Sequence, residues 1–539
     1  MNSLKSSIGK WIAVYALIFF ASSCKKLEFD KIAQTAWNPN LAIPLAYADF
    51  GVYDILARQD STDLVVIDPS TGAIALVYKG EIASYDAQTI IQLDDQTQQS
   101  ALSLAELSLT AAPAFSGTVS VNETENVVFA ANAGVELHQV NFKDGMLNLN
   151  VSTELKHDIS VVVTFPEFTL NNTPVSRILN LTYTGSTPQT ATASIDLTDV
   201  LADFTLGNTT VNSFPVTFQT TITGTGENVV GTENINFAYN FSAMEFENAI
   251  GYFGQQNLGI SNDTILLRLF ESTTDGYFEL TNPTVRFIVE NSFGFPVRIN
   301  FAEMKTINTI TGQEFPLTGF PSTFNINSPA AMGTSTTSTL ELNTSNTANL
   351  TTIISSVPKF FYFEANALSN PSGAVPPLNF VEDDSRFTVR TEVELPLEGL
   401  AYGFELRDTV DFNFNESVDE IESVMFRVIS DNGFPVAFKA QMTFMDQNYT
   451  PLFTIYGTPQ DVLQAALVDN EGKVNQRTKA VTDATLTEGQ IALLPNAKYI
   501  LINGVAQTLE ATNGEIVKLY DTYKLNLKLA MQVQGSLGF

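Results

Sequence analysis

The reactive chemistry available to this chain is almost entirely carboxylate chemistry. Its 539 residues hold 58 Asp and Glu, but one cysteine and two histidines. A single thiol closes no intramolecular disulfide and builds no multi-thiolate zinc site. His138 and His157 stand 19 positions apart in strand-like sequence. They could share a metal with carboxylates, or be two unrelated polar positions. A serine nucleophile would need one of them as its base, and nothing local orients either. The chain contains no nucleophile elbow, phosphate loop, dinucleotide fingerprint, H-E-x-x-H or EF-hand loop. Glycoside hydrolysis needs only two facing carboxylates. However, the strand–helix alternation of a barrel scaffold is missing. Glu382, Asp383 and Asp384 form one acid cluster, and Asp419, Glu420 and Glu422 form another. Either could offer oxygens to calcium, which takes about 6–8, or simply be a solvated loop. The expectation is a protein that is not an enzyme.

The elements that must position these residues begin with the N-terminus. Lys5 and Lys10 precede an apolar run from Trp11 to Ala21, shorter than the ~20 residues of a membrane-spanning helix. Small residues follow, so the stretch reads as a secretory signal cut after Ser23. Ala21-Ser22-Ser23-Cys24 resembles the lipobox of bacterial lipoproteins. That resemblance implies cleavage before Cys24, a diacylglycerol on its thiol and an acyl chain on its amine. From the residues themselves, no other cofactor is expected except calcium at the acid cluster. The competing readings are an ordinary signal with a chance cysteine, or a buried helix. Each buried CH2 contributes ~0.8 kcal/mol, so several acyl chains anchor firmly. Loss of residues 1–23 removes two lysines and no acid, which takes the formal charge from −31 to −33. Such a charge opposes nucleic acid, and no basic patch with interleaved aromatics is present. With 44% hydrophobic and 16% charged residues, the chain has material for packed cores.

Past the signal the pattern is all-β. Short runs rich in Val, Ile, Phe and Thr recur every ~8–12 residues between Asn, Gly, Pro and Asp, the rhythm of sandwiches. Counting strands gives a signal peptide (1–23), a tether with a small β-rich unit (24–112), and sandwich modules at 113–245, 246–370 and 371–539. A few short helices are expected. Asn349–Val357 places Leu350, Ile353, Ile354 and Val357 on one face and stops before Pro358. Thr458–Val468 reads as a helical insertion capped by Thr458. Asp49–Arg58 reads as a third helix, Thr89–Leu93 as a strand, and Tyr523–Leu529 as a final strand.

One motif recurs. Asn212-Ser213-Phe214-Pro215-Val216 has relatives at Asn291-Ser292-Phe293-Gly294-Phe295-Pro296-Val297 and Asp431-Asn432-Gly433-Phe434-Pro435-Val436. Alternating runs flank the last two, and Asn-Gly between such runs is the strongest short-range hairpin signal. Three hairpins are therefore expected, with Phe214, Phe295 and Phe434 either at partner-contacting tips or plugging the ends of sandwiches.

With its lipobox, its Trp37–Leu56 opening and these motifs, the chain resembles a group of uncharacterised Bacteroidota envelope lipoproteins. The resemblance implies outer-membrane attachment, cell-surface or periplasmic, and β-sandwich bodies. Asp60-Ser61-Thr62, Asp263-Thr264-Ile265 and Asp408-Thr409-Val410 resemble the O-glycosylation acceptor of such bacteria, or are turns into strands. The function expected is a lipid-anchored binding, adhesion or scaffolding component. Its partners would be the membrane and a protein or surface ligand. The alternatives are a carrier of an apolar ligand, suggested by 39 phenylalanines, and a glycan-binding or glycan-hydrolysing surface protein.

Overall fold

The computed structural model describes residues 40–52, 64–132, 134–260, 263–267, 276–308, 311–412 and 421–535. These residues are nearly all β, in several sheets. Alternation of apolar and polar residues is the cause: strand Thr284–Asn291 buries every second side chain, because successive side chains of a strand face opposite ways.

The sheets form three sandwiches. In the second, Val65–Ile67, Ile74–Asp86, Arg386–Pro396, Thr284–Asn291 and Thr336–Leu342 lie in that order in one sheet. The facing sheet is centred on Pro358–Ser369 and Val297–Asn308. Phe287 of the first meets Phe301 and Phe363 of the other at 4.8 and 5.5 Å between ring centres. In the third, Asn40–Gly51, Lys524–Gly535, Ile421–Asn432 and Thr478–Leu486 face Phe404–Asp411, Tyr499–Thr508, Val436–Met445 and Pro451–Leu463. Val424, Ala484 and Leu486 pack there against Phe444, Phe453 and Ile500.

These two sandwiches share one wiring. A central strand of the first sheet (Thr284–Asn291, Ile421–Asn432) turns a corner into a central strand of the second (Val297–Asn308, Val436–Met445). The chain then adds edge strands to both sheets, makes a short helix (Leu350–Ser355, Glu488–Leu493) and supplies the remaining central strands. The helix at Leu350–Ser355 buries Leu350, Ile353 and Ile354, as its periodicity predicts.

The first sandwich is a single ten-stranded sheet folded on itself. Its long strands Glu136–Thr153 and Asn234–Tyr252 pair along their length with bulges near Gly145 and Ser242. The first strand gives one half to Gln189–Asp196 and the other to Leu201–Asp203. Extra residues at bulges bend a strand in this way.

The N-terminal segment serves all three sandwiches in reverse order. Asn40–Gly51 pairs with Lys524–Gly535 in the third, Ile74–Asp86 with Arg386–Pro396 in the second, and Gln96–Ser103 with Asn234–Phe241 in the first. The return chain then builds the first, second and third. Strands Asn40–Gly51, Ile74–Asp86 and Gln96–Ser103 are thus shared among three sheets, and position 245 lies inside strand Asn234–Tyr252.

The sandwiches stack end to end. Strand Asn379–Glu382 leaves the second sandwich to pair with Asn248–Gly251 of the first. Between the second and third, Tyr277–Leu280, Glu398–Tyr402 and Val517–Lys518 form a small sheet.

Three local expectations are corrected. Residues 458–463 continue strand Pro451–Leu463, with Leu467–Val468 another strand, instead of a helix. Asp49 lies in strand Asn40–Gly51 opposite Asn526, and residues 53–58 are outside the described residues. Ala87–Ile90 is a helical turn where a strand was expected.

Candidate functional site

The recurrent motif carries the most elaborate local chemistry, and it is not a hairpin. The strands on either side of Asn291 and of Asn432 belong to opposite sheets, so these two motifs are corners joining the two layers of a sandwich, while those around Asn212, Leu201–Asp203 and Ser213–Thr223, share the ten-stranded sheet. At the first corner the buried Asn291 accepts from Phe293 N at 3.0 Å and donates to the carbonyls of Phe295 and Asn327, both at 3.1 Å. At the second, Asn432 accepts from Phe434 N at 2.9 Å and donates to Val436 and Gln464 carbonyls at 2.9 and 2.8 Å. A backbone that leaves one sheet for another strands these groups, and a buried amide with two donors and an acceptor satisfies them.

The correspondence extends upstream. Five residues before each Asn stands an arginine paired across to the edge strand: Arg286 with Glu341 at 2.9 Å, and Arg427 with Asp483 through two 2.7 Å bonds. Arg286 also bonds Glu394. The shared pattern is Arg-x4-Asn-x-Phe. The Phe-Pro pairs stand out in the sequence, while the Arg and the role of the Asn do not, because their partners lie on other strands and loops.

Phe214, Phe295 and Phe434 are not exposed tips, which corrects the partner-contact expectation. Phe214 is fully buried among Phe165, Phe168, Phe204 and Phe241, with ring centres 4.8 to 6.2 Å away. Phe295 stacks on Phe293 and meets Phe253 of the first sandwich edge-on at 6.2 Å. Gly294 between them donates to the Phe380 carbonyl, and a Cβ there would lie 2.3 Å from the Phe380 ring. Phe434 meets Tyr523 edge-on and belongs to the large core shared with the second sandwich. Phe295 and Phe434 therefore seal the two junctions of the stack.

The acid cluster is divided between partners. Glu382 accepts from Gly333 N at 2.6 Å, while Asp383 bonds Lys143 at 2.5 Å. Asp384 is not drawn to either. Among the described residues no group of three or more His, Cys, Asp or Glu converges on a metal position. Asp419 and Glu420 lie outside those residues.

The histidines are apart in role. His138 contributes its carbonyl to Phe204 N at 2.8 Å. His157 is completely buried at the far end of the first sandwich, with Nδ1 3.2 Å from the Thr225 hydroxyl and no partner at Nε2. Burial pushes its pKa down, against the upward pull of Glu233, Glu227 and Asp158. Beside it Gln189 donates to the carbonyls of Leu155 and His157. Burial would raise the Glu233 pKa, but amides of Val230, Gly231 and Thr232 bind the carboxylate and hold it low.

Asp263-Thr264-Ile265 and Asp408-Thr409-Val410 lie within strands. Asp60-Ser61-Thr62, Ser23, Cys24 and the whole signal are outside the described residues. Among those residues, no helix is long and apolar enough to cross a membrane.

No protein-family model and no curated protein matches the chain. Among solved structures it is similar to a candidate secreted protein from Parabacteroides distasonis, at 16% identity and a TM-score of 0.31 over 52% of this chain and 83% of that one. It is also similar to the VP2 subviral particle of infectious bursal disease virus, at 8% identity and a TM-score of 0.13 over 74% and 73%. A triple jelly roll protein from the turret assembly of an archaeal virus gives 12% identity and a TM-score of 0.10 over 78% and 90%. With scores this far below 0.5, the geometry of the chain itself carries the functional reading.

Proposed function

We propose that this chain is a lipid-anchored outer-membrane lipoprotein, displayed at the cell surface, that acts as a non-enzymatic binding, adhesion or scaffolding component. One observation carries the reading. Both ends of the described chain, Asn40 and Gly535, lie at the same end of a three-sandwich stack. A lipid on Cys24 would therefore hold the stack by one end and leave the rest projecting. The non-enzymatic reading is supported by the dispersal of reactive groups: buried polar side chains at the corners serve the backbone, and the acids of the central cluster are tied to separate partners. The phenylalanine content that suggested an apolar carrier is drawn on heavily by ring-on-ring packing in the first sandwich. A charge of −31 makes a protein or surface ligand a better partner than nucleic acid.

Protease shaving of cells is the test. Cleavage on intact cells is expected, with Cys24→Ala releasing the protein from the membrane fraction. Cleavage only after permeabilisation would turn the sandwiches to the periplasm and remove the display reading. Retention of Cys24→Ala in the membrane would remove the anchor.

A further inference from the structure

The free end of the third sandwich presents a stacked pair of tyrosines, one of them largely exposed. Strand Ile421–Asn432 runs from this end to its corner and Val436–Met445 runs back, so Met445, Tyr499 opposite it, and Asn40 opposite Gln534 share one end. The turn after Met445 is fixed by Asp446, whose carboxylate accepts from Asn448 and Thr450 amides at 2.7 and 2.9 Å. It holds Tyr449 in the left-handed region at φ 62, with the residue 58% exposed. Non-glycine residues hold that conformation at a cost, and here it presents an aromatic ring to solvent. Tyr449 stacks on Tyr499 at 4.3 Å and 12°. The pair makes a flat plate with apolar faces and phenol edges, the type of side chain suited to a boundary that is wet on one side and apolar on the other.

We propose that this end of the third sandwich rests on the headgroup layer of a lipid membrane, with Tyr449 and Tyr499 at the water–lipid boundary and the first sandwich farthest away. The arrangement rests on the lipid-anchor reading given above. Cys24 precedes Asn40 by 16 positions. A flexible chain of that length spans roughly 20–24 Å, and fully extended it reaches about 55 Å. The far end of the first sandwich, around loop 182–188, is separated by three strand lengths, on the order of 100 Å at ~3.3 Å per residue. The far end of the first sandwich is out of reach of the anchor, and the third sandwich, which holds Asn40, lies nearest to it. Asp411 lies opposite Tyr499, and Asp446 and Lys498 flank the pair; Glu422 lies at the same end on the facing sheet, opposite the last strand residues. This negative balance selects a zwitterionic headgroup over an anionic one.

The test uses the mature lipoprotein, acylated on Cys24, in phosphatidylcholine vesicles carrying a headgroup spin-labelled lipid. Acylation consumes the one native thiol, so Gln447→Cys or Ser186→Cys gives a unique fluorophore position at an exposed residue. Both variants should float with the vesicles, with quenching at 447 and none at 186. Replacing both tyrosines (Tyr449→Ser with Tyr499→Ser) should lower quenching at 447 without loss of flotation. Flotation with quenching at 186, equal quenching at both positions, or none at either overturns the arrangement and leaves the anchor standing. Unchanged quenching in the serine variant removes the tyrosines from the contact. Failure to float overturns the anchor reading, and this arrangement with it.

Discussion

At the scale of single residues, His157 shows how a scarce titratable group can be structural. Its ring is sealed behind Phe115, edge-on at 5.2 Å, and its Nε2 has no partner. Nothing at Nε2 would receive a proton's hydrogen bond, so burial holds the imidazole neutral and its pKa below the ordinary value. The sign follows from linkage. An unfolded histidine titrates near pH ~6.5, and the folded one below that. As pH falls through the unfolded value, the unfolded chain gains a proton that the folded chain refuses. Stability therefore falls, by at most ~1.4 kcal/mol per pH unit for one proton, until the folded pKa is reached. Denaturant titrations at pH 7.5 and 5.5 check this for the first sandwich. The loss on acidification should be smaller in His157→Gln than in the native chain, and equal losses would show that His157 is not the buried neutral group described.

At the scale of elements, the corners explain what could be read beforehand and what could not. Alternation in Val285, Phe287 and Val289 announced a strand, as did Val424, Phe426 and Val428, and both strands exist. It could not say where the next strand goes. Asn-Gly with Pro after it looks the same whether the flanking strands pair with each other or enter facing sheets, because turn chemistry is local and sheet membership is not. The Thr458–Val468 misreading has a similar origin. Strand Pro451–Leu463 skips register between Ile455 and Gln460, with Tyr456 at φ 62. Such a bulge breaks the period of two and leaves apolar spacings that mimic a helix. Of the site residues, Phe295 and Phe434 were legible as candidates, but their burial at junctions depends on partners far outside the motif, Phe253 42 positions before and Tyr523 89 positions after. The corner amides make a direct prediction. Asn432→Ala strands the carbonyls of Val436 and Gln464 and the amide of Phe434, and buried groups left unpaired cost about 1–3 kcal/mol each. The third sandwich should lose roughly 2–4 kcal/mol in equilibrium unfolding, and Asn291→Ala should act likewise on the second. A loss under 1 kcal/mol at both corners would mean that water replaces the amide.

At the scale of the whole molecule, the cores are unequal in reach. One continuous apolar cluster runs through the first and second sandwiches and includes Phe434 and Tyr523, while the third keeps a separate core around Phe444, Phe453 and Leu486. A separate core lets a unit unfold on its own. Calorimetry should resolve two transitions, the smaller belonging to the third sandwich. Deletion of residues 40–51 uncovers the edge of strand Lys524–Gly535 and should lower or abolish that transition, leaving the larger one in place. A single transition that shifts as a whole would show that the junction at Phe434 couples all three bodies.

The reverse path of the N-terminal segment has a further consequence, in time. Gln96–Ser103 waits for a partner 131 to 145 positions later, Ile74–Asp86 for one about 300 later, and Asn40–Gly51 for Lys524–Gly535 at the other extreme of the chain. The partnerships are nested, so a ribosome delivers them from the innermost outward. The sandwich that holds Asn40–Gly51 is the last to close, and it closes only when strand Lys524–Gly535 has arrived. A chain wired in this way stays open at its leading end throughout its own synthesis, the condition a polypeptide needs to be threaded through a narrow channel.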